Sequence, residues 1–189
     1  MYNQAMKDQK DYKADELFFV VDEHDNPLSP LPRKLVHGHG VWHRVSHVWI
    51  LDGVGNVLCQ QRSLQKELNP GRWEPFFGGH LGPQEGYEEG AKRELNEEIG
   101  FNTDDITLLE TYKFSDTSHG GYNNEFQGIF SVVWNGDTSQ LHFDDGEVEQ
   151  VSWVSLREVL SQLDAQNKSW TNCGYEQKLI KRLLDSPLS

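Results

Sequence analysis

Apolar positions along this chain switch between two spacings. Leu17-Phe18-Phe19-Val20-Val21 runs into Asp22-Glu23-His24-Asp25-Asn26-Pro27, which predicts a strand closed by a turn. Arg33 to His39 leads into a denser block. There Val45 to Leu51 and Val57 to Gln61 flank Asp52-Gly53-Val54-Gly55-Asn56, whose Gly and Asn residues supply the positive φ angles of a hairpin, so an antiparallel pair is expected. After Asn69-Pro70-Gly71-Arg72 the spacing changes. Tyr87, Ala91, Leu95 and Ile99 fall on one helical face, which predicts a helix over Glu85 to Ile99 with Gly100 at its end. Ile106 to Tyr112, Gln127 to Trp134 and Val151 to Val154 read as further strands. Ser155 N-caps a helix reaching Leu163, and a last amphipathic helix runs from Tyr175 to Leu184. Residues 1–15, polar and poor in branched apolar side chains, read as an extension, and residues 16–189 as a single α/β domain.

Composition narrows the function classes. A 36% hydrophobic and 25% charged chain is globular, not disordered. Thirty acidic against 17 basic residues give a net charge of −13, so no nucleic-acid partner is expected, because phosphate-backbone binding needs clustered Lys and Arg. Acidic sites do hold divalent cations, which then present positive charge to a phosphate. No apolar run approaches the roughly 20 residues that cross a bilayer. The first ten residues carry no apolar signal core, so the expectation is a cytoplasmic protein without a membrane partner. Cys59 and Cys173 belong to no metal or redox spacing and read as small buried hydrophobes.

The candidate chemistry lies on the central helix. Glu94 stands three and four residues before Glu97 and Glu98, so three carboxylates share one side and repel each other unless a cation sits among them. Oxygen-only ligands of this kind suit Mg²⁺ or Mn²⁺. Arg93, four residues after Glu89 and four before Glu97, is placed to hold carboxylates in position. Gly79, Glu85 and Arg93-Glu94-Leu95-Asn96-Glu97-Glu98-Ile99-Gly100-Phe101 fill every fixed and apolar place of GX5EX7REUXEEXGU, with U apolar. The chain therefore resembles a Nudix hydrolase. That resemblance implies an α/β/α sandwich around a mixed sheet, and divalent-metal-dependent cleavage of a diphosphate linked to another moiety. It also implies Glu94, Glu97, Glu98 and the carbonyl of Gly79 as metal ligands, with Glu85 and Arg93 in support. The general base is drawn from different places in the family. Here Glu147 and Glu149, in Asp144-Asp145-Gly146-Glu147-Val148-Glu149, and Glu125 are the candidates.

A second pattern surrounds the first: His37-Gly38-His39-Gly40-Val41-Trp42-His43, then Gly79-His80, then Asn123-Asn124-Glu125. It is similar to the type I isopentenyl-diphosphate isomerase branch of the Nudix superfamily. This implies a second metal site at His43, His80 and Glu125, with His37 matching approximately. The departures are specific. Gly78 stands where that branch carries its catalytic cysteine, and Asn123 where it carries a second acid. The body also resembles Nudix proteins of unassigned substrate that share the His43-Arg44-x-x-His47-Val48-Trp49-Ile50 segment. Arg62, Lys66 and Arg72 are candidate contacts for substrate phosphate oxygens. Trp42, Trp73, Phe76 and Phe77 are candidates to stack on a base or cover a prenyl chain, core packing being the competing role. The expected reaction is hydrolysis of a small nucleoside-diphosphate-linked or other organic diphosphate. The alternatives are an isomerase-like enzyme, a prenyl-diphosphate binder, and a silent module that senses a ligand or binds RNA. A homodimer is the assembly common among the proteins resembled.

Overall fold

The computed structural model describes residues 15–66, 68–117, 122–143 and 146–186. Most of the N-terminal extension, together with Asp144 and Asp145 of the acidic loop, lies outside them. The elements in chain order are β1 (Leu17–Phe18), β2 (Leu31–Pro32), α1 (Arg33–His39), β3 (His43–Leu51), β4 (Asn56–Arg62), β5 (Trp73–Glu74), β6 (Phe77–His80), α2 (Tyr87–Ile99), β7 (Thr107–Asp116), β8 (Asn123–Val133), β9 (Val148–Ser155), α3 (Leu156–Asp164) and α4 (Glu176–Asp185).

β3 organises the sheet. It runs parallel to β8 along its whole length, from His43 beside Glu125 to Leu51 beside Val133. Its other edge meets β6 antiparallel, with Val45 beside His80 and His47 beside Gly78, and reaches β4 at Leu51–Val57. β7 closes one side against β8; β4 pairs with β5 and β9 on the other. Because successive strand residues face opposite sides, β3 builds two cores. Trp49 and Leu51 pack with Val57, Cys59 and the apolar faces of α3 and α4, whereas Val48 and Ile50 pack with Phe77 and with Ala91, Leu95 and Ile99 of α2. This is a mixed sheet sandwiched between helices. Among the described residues, no helix is long and apolar enough to cross a membrane.

Tertiary context shifted several boundaries. The first strand shrinks to Leu17–Phe18, with Val20 and Val21 making only isolated bridges to His43 and Pro27. Segment 33–39 is a helix that pattern reading missed, since in seven residues only Val36 is buried and no period can register. β7, β8 and β9 are longer than their apolar runs, because cross-strand pairing carries polar residues such as Asn123 and Ser115 into the ladder. Helix ends followed local chemistry. Gly100 closes α2 at φ 65°, and Ser155 Oγ accepts the Glu158 N–H at 3.1 Å ahead of α3.

Candidate active site

α2 presents its apolar face to the sheet, and this places Glu94 and Glu98, one turn apart, at the boundary with β6. Glu98 is 3% exposed and accepts the Gly78 N–H at 2.9 Å. A side chain at Gly79 would meet the Glu94 carboxylate at 2.8 Å, so the backbone there lies directly against it. Arg93 binds this region together. Its guanidinium reaches both Glu85 oxygens at 2.7 and 2.9 Å, Glu94 at 2.8 Å, Glu97 at 2.9 Å and the His80 carbonyl at 3.0 Å. Glu89, which helix spacing had placed beside Arg93, instead accepts the Gly86 N–H at 2.9 Å and caps the helix start.

Arg93 does not neutralise the cluster. Burial pushes the Glu94 carboxyl up to about 7 against the partial offset of Arg93, with Glu97 and Glu147 adding repulsion. Glu98 is raised well above its ordinary range, first by burial and then by Glu94, while Lys66 acts in the opposite direction. A buried carboxylate, Glu98, and a partly buried one, Glu94, both pushed toward protonation and lying against a glycine backbone, are the donor set a hard divalent cation fits. Glu97, half-exposed, forms the outer edge of the set.

Of the proposed phosphate contacts, two converge on this cluster and one does not. Lys66 ion-pairs with Glu147, and Arg62 holds Glu74 at 2.8 Å. Both cations act on Glu98 or are acted on by it. Arg72 instead lines a separate cavity with Lys168 and Trp170. Among the described acids of its loop, Glu147 adds repulsion at Glu94 and Glu98, whereas Glu149 is exposed on β9. Of the four aromatic residues, Phe76 and Phe77 are core, Trp42 packs against Phe126, and Trp73 against Trp170.

The histidine cluster lies on the other side of β6. The β3–β8 register sets His43 beside Glu125, the β3–β6 register brings in His80, and α1 adds His37. Ligand atoms of His37, His43 and His80 lie within 4.8 Å of one another, and the Nε2 atom of each is buried without a hydrogen-bond partner. Glu125 Oε1 is 3.9 Å from His43 Nε2. Nδ1 of His43 is 3.0 Å from the Val41 carbonyl, which makes it the N–H donor and leaves Nε2 a free lone pair. Burial holds His37 and His43 down to about 4 and His80 well below its usual value, so all three are neutral donors at pH 7. Phe18 stacks on His80 at 4.0 Å, and the Asn123 and Gln127 amides clamp Glu125 at 2.8 and 2.7 Å. Three orphaned imidazole nitrogens beside a buried carboxylate fit a transition-metal cation.

Sequence reasoning missed the Gln127 clamp, although its position two residues after Glu125 on a strand puts both on one face. Phe18 had no sequence signal. β6 serves both clusters at once, through the Gly78 N–H on Glu98, Gly79 against Glu94, and the His80 ring and carbonyl.

Comparison with known proteins accords with this geometry. A NUDIX domain family model matches residues 41–172. An isopentenyl-diphosphate Delta-isomerase of Photorhabdus laumondii is 36% identical over 88 residues, 47% of this chain and 50% of that one, so the chain spans about half of that relative's length. An uncharacterized Nudix hydrolase of Pseudomonas aeruginosa is 35% identical over 118 residues, 62% of this chain and 68% of that one. Among solved structures, a Deinococcus radiodurans protein superposes with a TM-score of 0.68 at 21% identity, over 88% of this chain and 98% of its own, which is a likeness of fold. The domain match covers the whole of the seven-stranded sheet, α2 and its carboxylates, and the chain belongs to the Nudix family of hydrolases.

Proposed function

We propose that the protein hydrolyses the phosphoanhydride of a small organic diphosphate, such as a nucleoside-diphosphate-linked compound, using Mg²⁺ or Mn²⁺ held by Glu94, Glu97, Glu98 and the Gly79 backbone. The observation that carries this reading is the pairing of buried Glu98, on the Gly78 N–H, with partly buried Glu94, against the Gly79 backbone, both carboxyls raised by burial, that of Glu94 in spite of Arg93. A cation bound there would neutralise phosphate oxygens and lower the pKa of the attacking water. Arg93 fixes the carboxylates through its fork of contacts with Glu85, Glu94 and Glu97. In this reading Glu147, ion-paired with Lys66, is the acid that accepts a proton from the water. Arg62 and Lys66, paired with Glu74 and Glu147, are the cations assigned in this reading to the diphosphate oxygens.

The histidine cluster supports the second part of the proposal, a tightly held divalent cation at His37, His43, His80 and Glu125 that ties α1, β3, β6 and β8 together. Similarity to isopentenyl-diphosphate isomerases favours a prenyl diphosphate as one candidate substrate. Isomerase chemistry in the form that needs a thiol is disfavoured, because Gly78 occupies that place at φ 144° and a Cβ there would lie 1.9 Å from the Ser46 carbonyl oxygen. The test is release of phosphate or nucleotide from a panel of nucleoside and prenyl diphosphates with Mg²⁺, Mn²⁺ or EDTA. Metal-dependent cleavage is expected. Proton exchange into isopentenyl diphosphate without any cleavage would replace hydrolysis by the isomerase reading.

A further inference from the structure

A cavity of about 260 Å³ opens between the loop joining β4 to β5 and the segment after α3. Among the described residues no acidic side chain lines it, although the chain carries a net charge of −13. Its walls bear Arg72 and Lys168, and among the described residues neither cation has an ion pair or a side-chain hydrogen bond. The side-chain amides of Asn69 and Gln166, also without partners among the described residues, add neutral donors to the same walls. Trp170 supplies an aromatic surface. Its segment extends β5, with the Trp73 N–H on the Ser169 carbonyl at 2.8 Å and the Thr171 N–H on the Trp73 carbonyl at 3.0 Å, and the Trp73 ring braces it at 6.2 Å.

From these groups we infer a phosphate-ester site, separate from the carboxylate cluster, whose ligand is a nucleoside monophosphate group. Two guanidinium or ammonium charges with amide donors match a phosphate dianion, and the indole matches a base. The volume lies below the roughly 300 Å³ of pockets that enclose a whole drug-sized ligand, so the cavity takes one phosphate and a ring, not a dinucleotide. The site is joined to the chemistry by the backbone. Arg62 N–H donates to the Arg72 carbonyl at 2.9 Å, and the loop that carries Arg72 also sends Lys66 to Glu147. The group bound here is either the far half of the substrate or a separate effector.

The site does not depend on the hydrolytic reading, and the test keeps the two apart. AMP is titrated calorimetrically into the full-length protein in EDTA, so that no cation bridges phosphate to the carboxylates. One binding event is expected, weakened about tenfold or more in R72Q/K168Q, restored in R72K/K168R and unchanged in E98Q. Equal affinity in R72Q/K168Q, or no binding up to about 10 mM AMP, would overturn the inference. Competitive inhibition of turnover by AMP, lost in R72Q/K168Q, identifies the far half of the substrate. A change in kcat without competition, lost in the same variant, identifies an effector.

Discussion

Gly78→Cys puts the thiol of the isomerase-like pattern back into this chain, and the backbone opposes it. Gly78 sits at φ 144°, a conformation that costs a side-chain-bearing residue about 1–3 kcal/mol. Its Cβ would stand 1.9 Å from the Ser46 carbonyl oxygen, against ordinary contact at 3.4 Å, so β6 must move about 1.5 Å away from β3. That displacement stretches the ladder at His47–Gly78 and Ser46–Gly79 and the Gly78 N–H bond to Glu98. At about 1 kcal/mol per hydrogen bond, the expected destabilisation is about 3–5 kcal/mol, a large part of a typical domain's stability. Urea unfolding followed by tryptophan fluorescence measures it, with Gly78→Ala separating the backbone effect from the thiol. Both variants should lose similar stability, and Gly78→Cys should not gain proton exchange on isopentenyl diphosphate. An unfolding free energy within about 0.5 kcal/mol of the unmodified protein in either variant would refute the argument, since surface-like tolerance means that β6 yields freely.

Four further outcomes are expected. Glu98→Gln should remove nearly all turnover while leaving the melting temperature undiminished, because the amide still accepts the Gly78 N–H and a repelling charge next to Glu94 is gone; retained turnover in a phosphate-release assay would dismiss the carboxylate assignment. Arg93→Gln should lower kcat about a hundredfold and also weaken Mn²⁺ binding by electron paramagnetic resonance, since Glu85, Glu94 and Glu97 lose their common tether. His47 is buried neutral, bonded to the Tyr175 hydroxyl at 3.0 Å and held down to about 3. Its unfolded form takes up a proton first, so metal-free stability should fall as pH drops from about 6.5 toward 3, by up to about 1.4 kcal/mol per pH unit from this residue. Unfolding of His47→Gln at several pH values should show a shallower slope, and an identical slope would remove His47 from the account. Dialysis against a strong chelator should lower the melting temperature of the metal-loaded protein, and His43→Ala should abolish that shift; a shift retained in His43→Ala would exclude the histidine cluster as its source.

Local chemistry determined a good deal of this protein. Tyr87, Ala91, Leu95 and Ile99 specified the helix and its buried face, Gly100 its end and Ser155 the start of the next, because 3.6-residue spacing and caps act within a few residues. The same helix carried most residues of the Nudix pattern in one stretch, so the family was legible without coordinates. What sequence could not give was convergence between segments far apart in the chain. His37, His43, His80 and Glu125 become one cluster only when α1 forms and β3 takes β6 on one edge and β8 in parallel on the other. Arg62, Lys66 and Arg72 read alike as loop cations. The fold turns the first two toward Glu74 and Glu147 and the third away into its own cavity. Side-chain identity sets which chemistry a residue offers. Strand register, parallel pairing and loop path bring these groups together, and those depend on long-range contacts that no local period encodes.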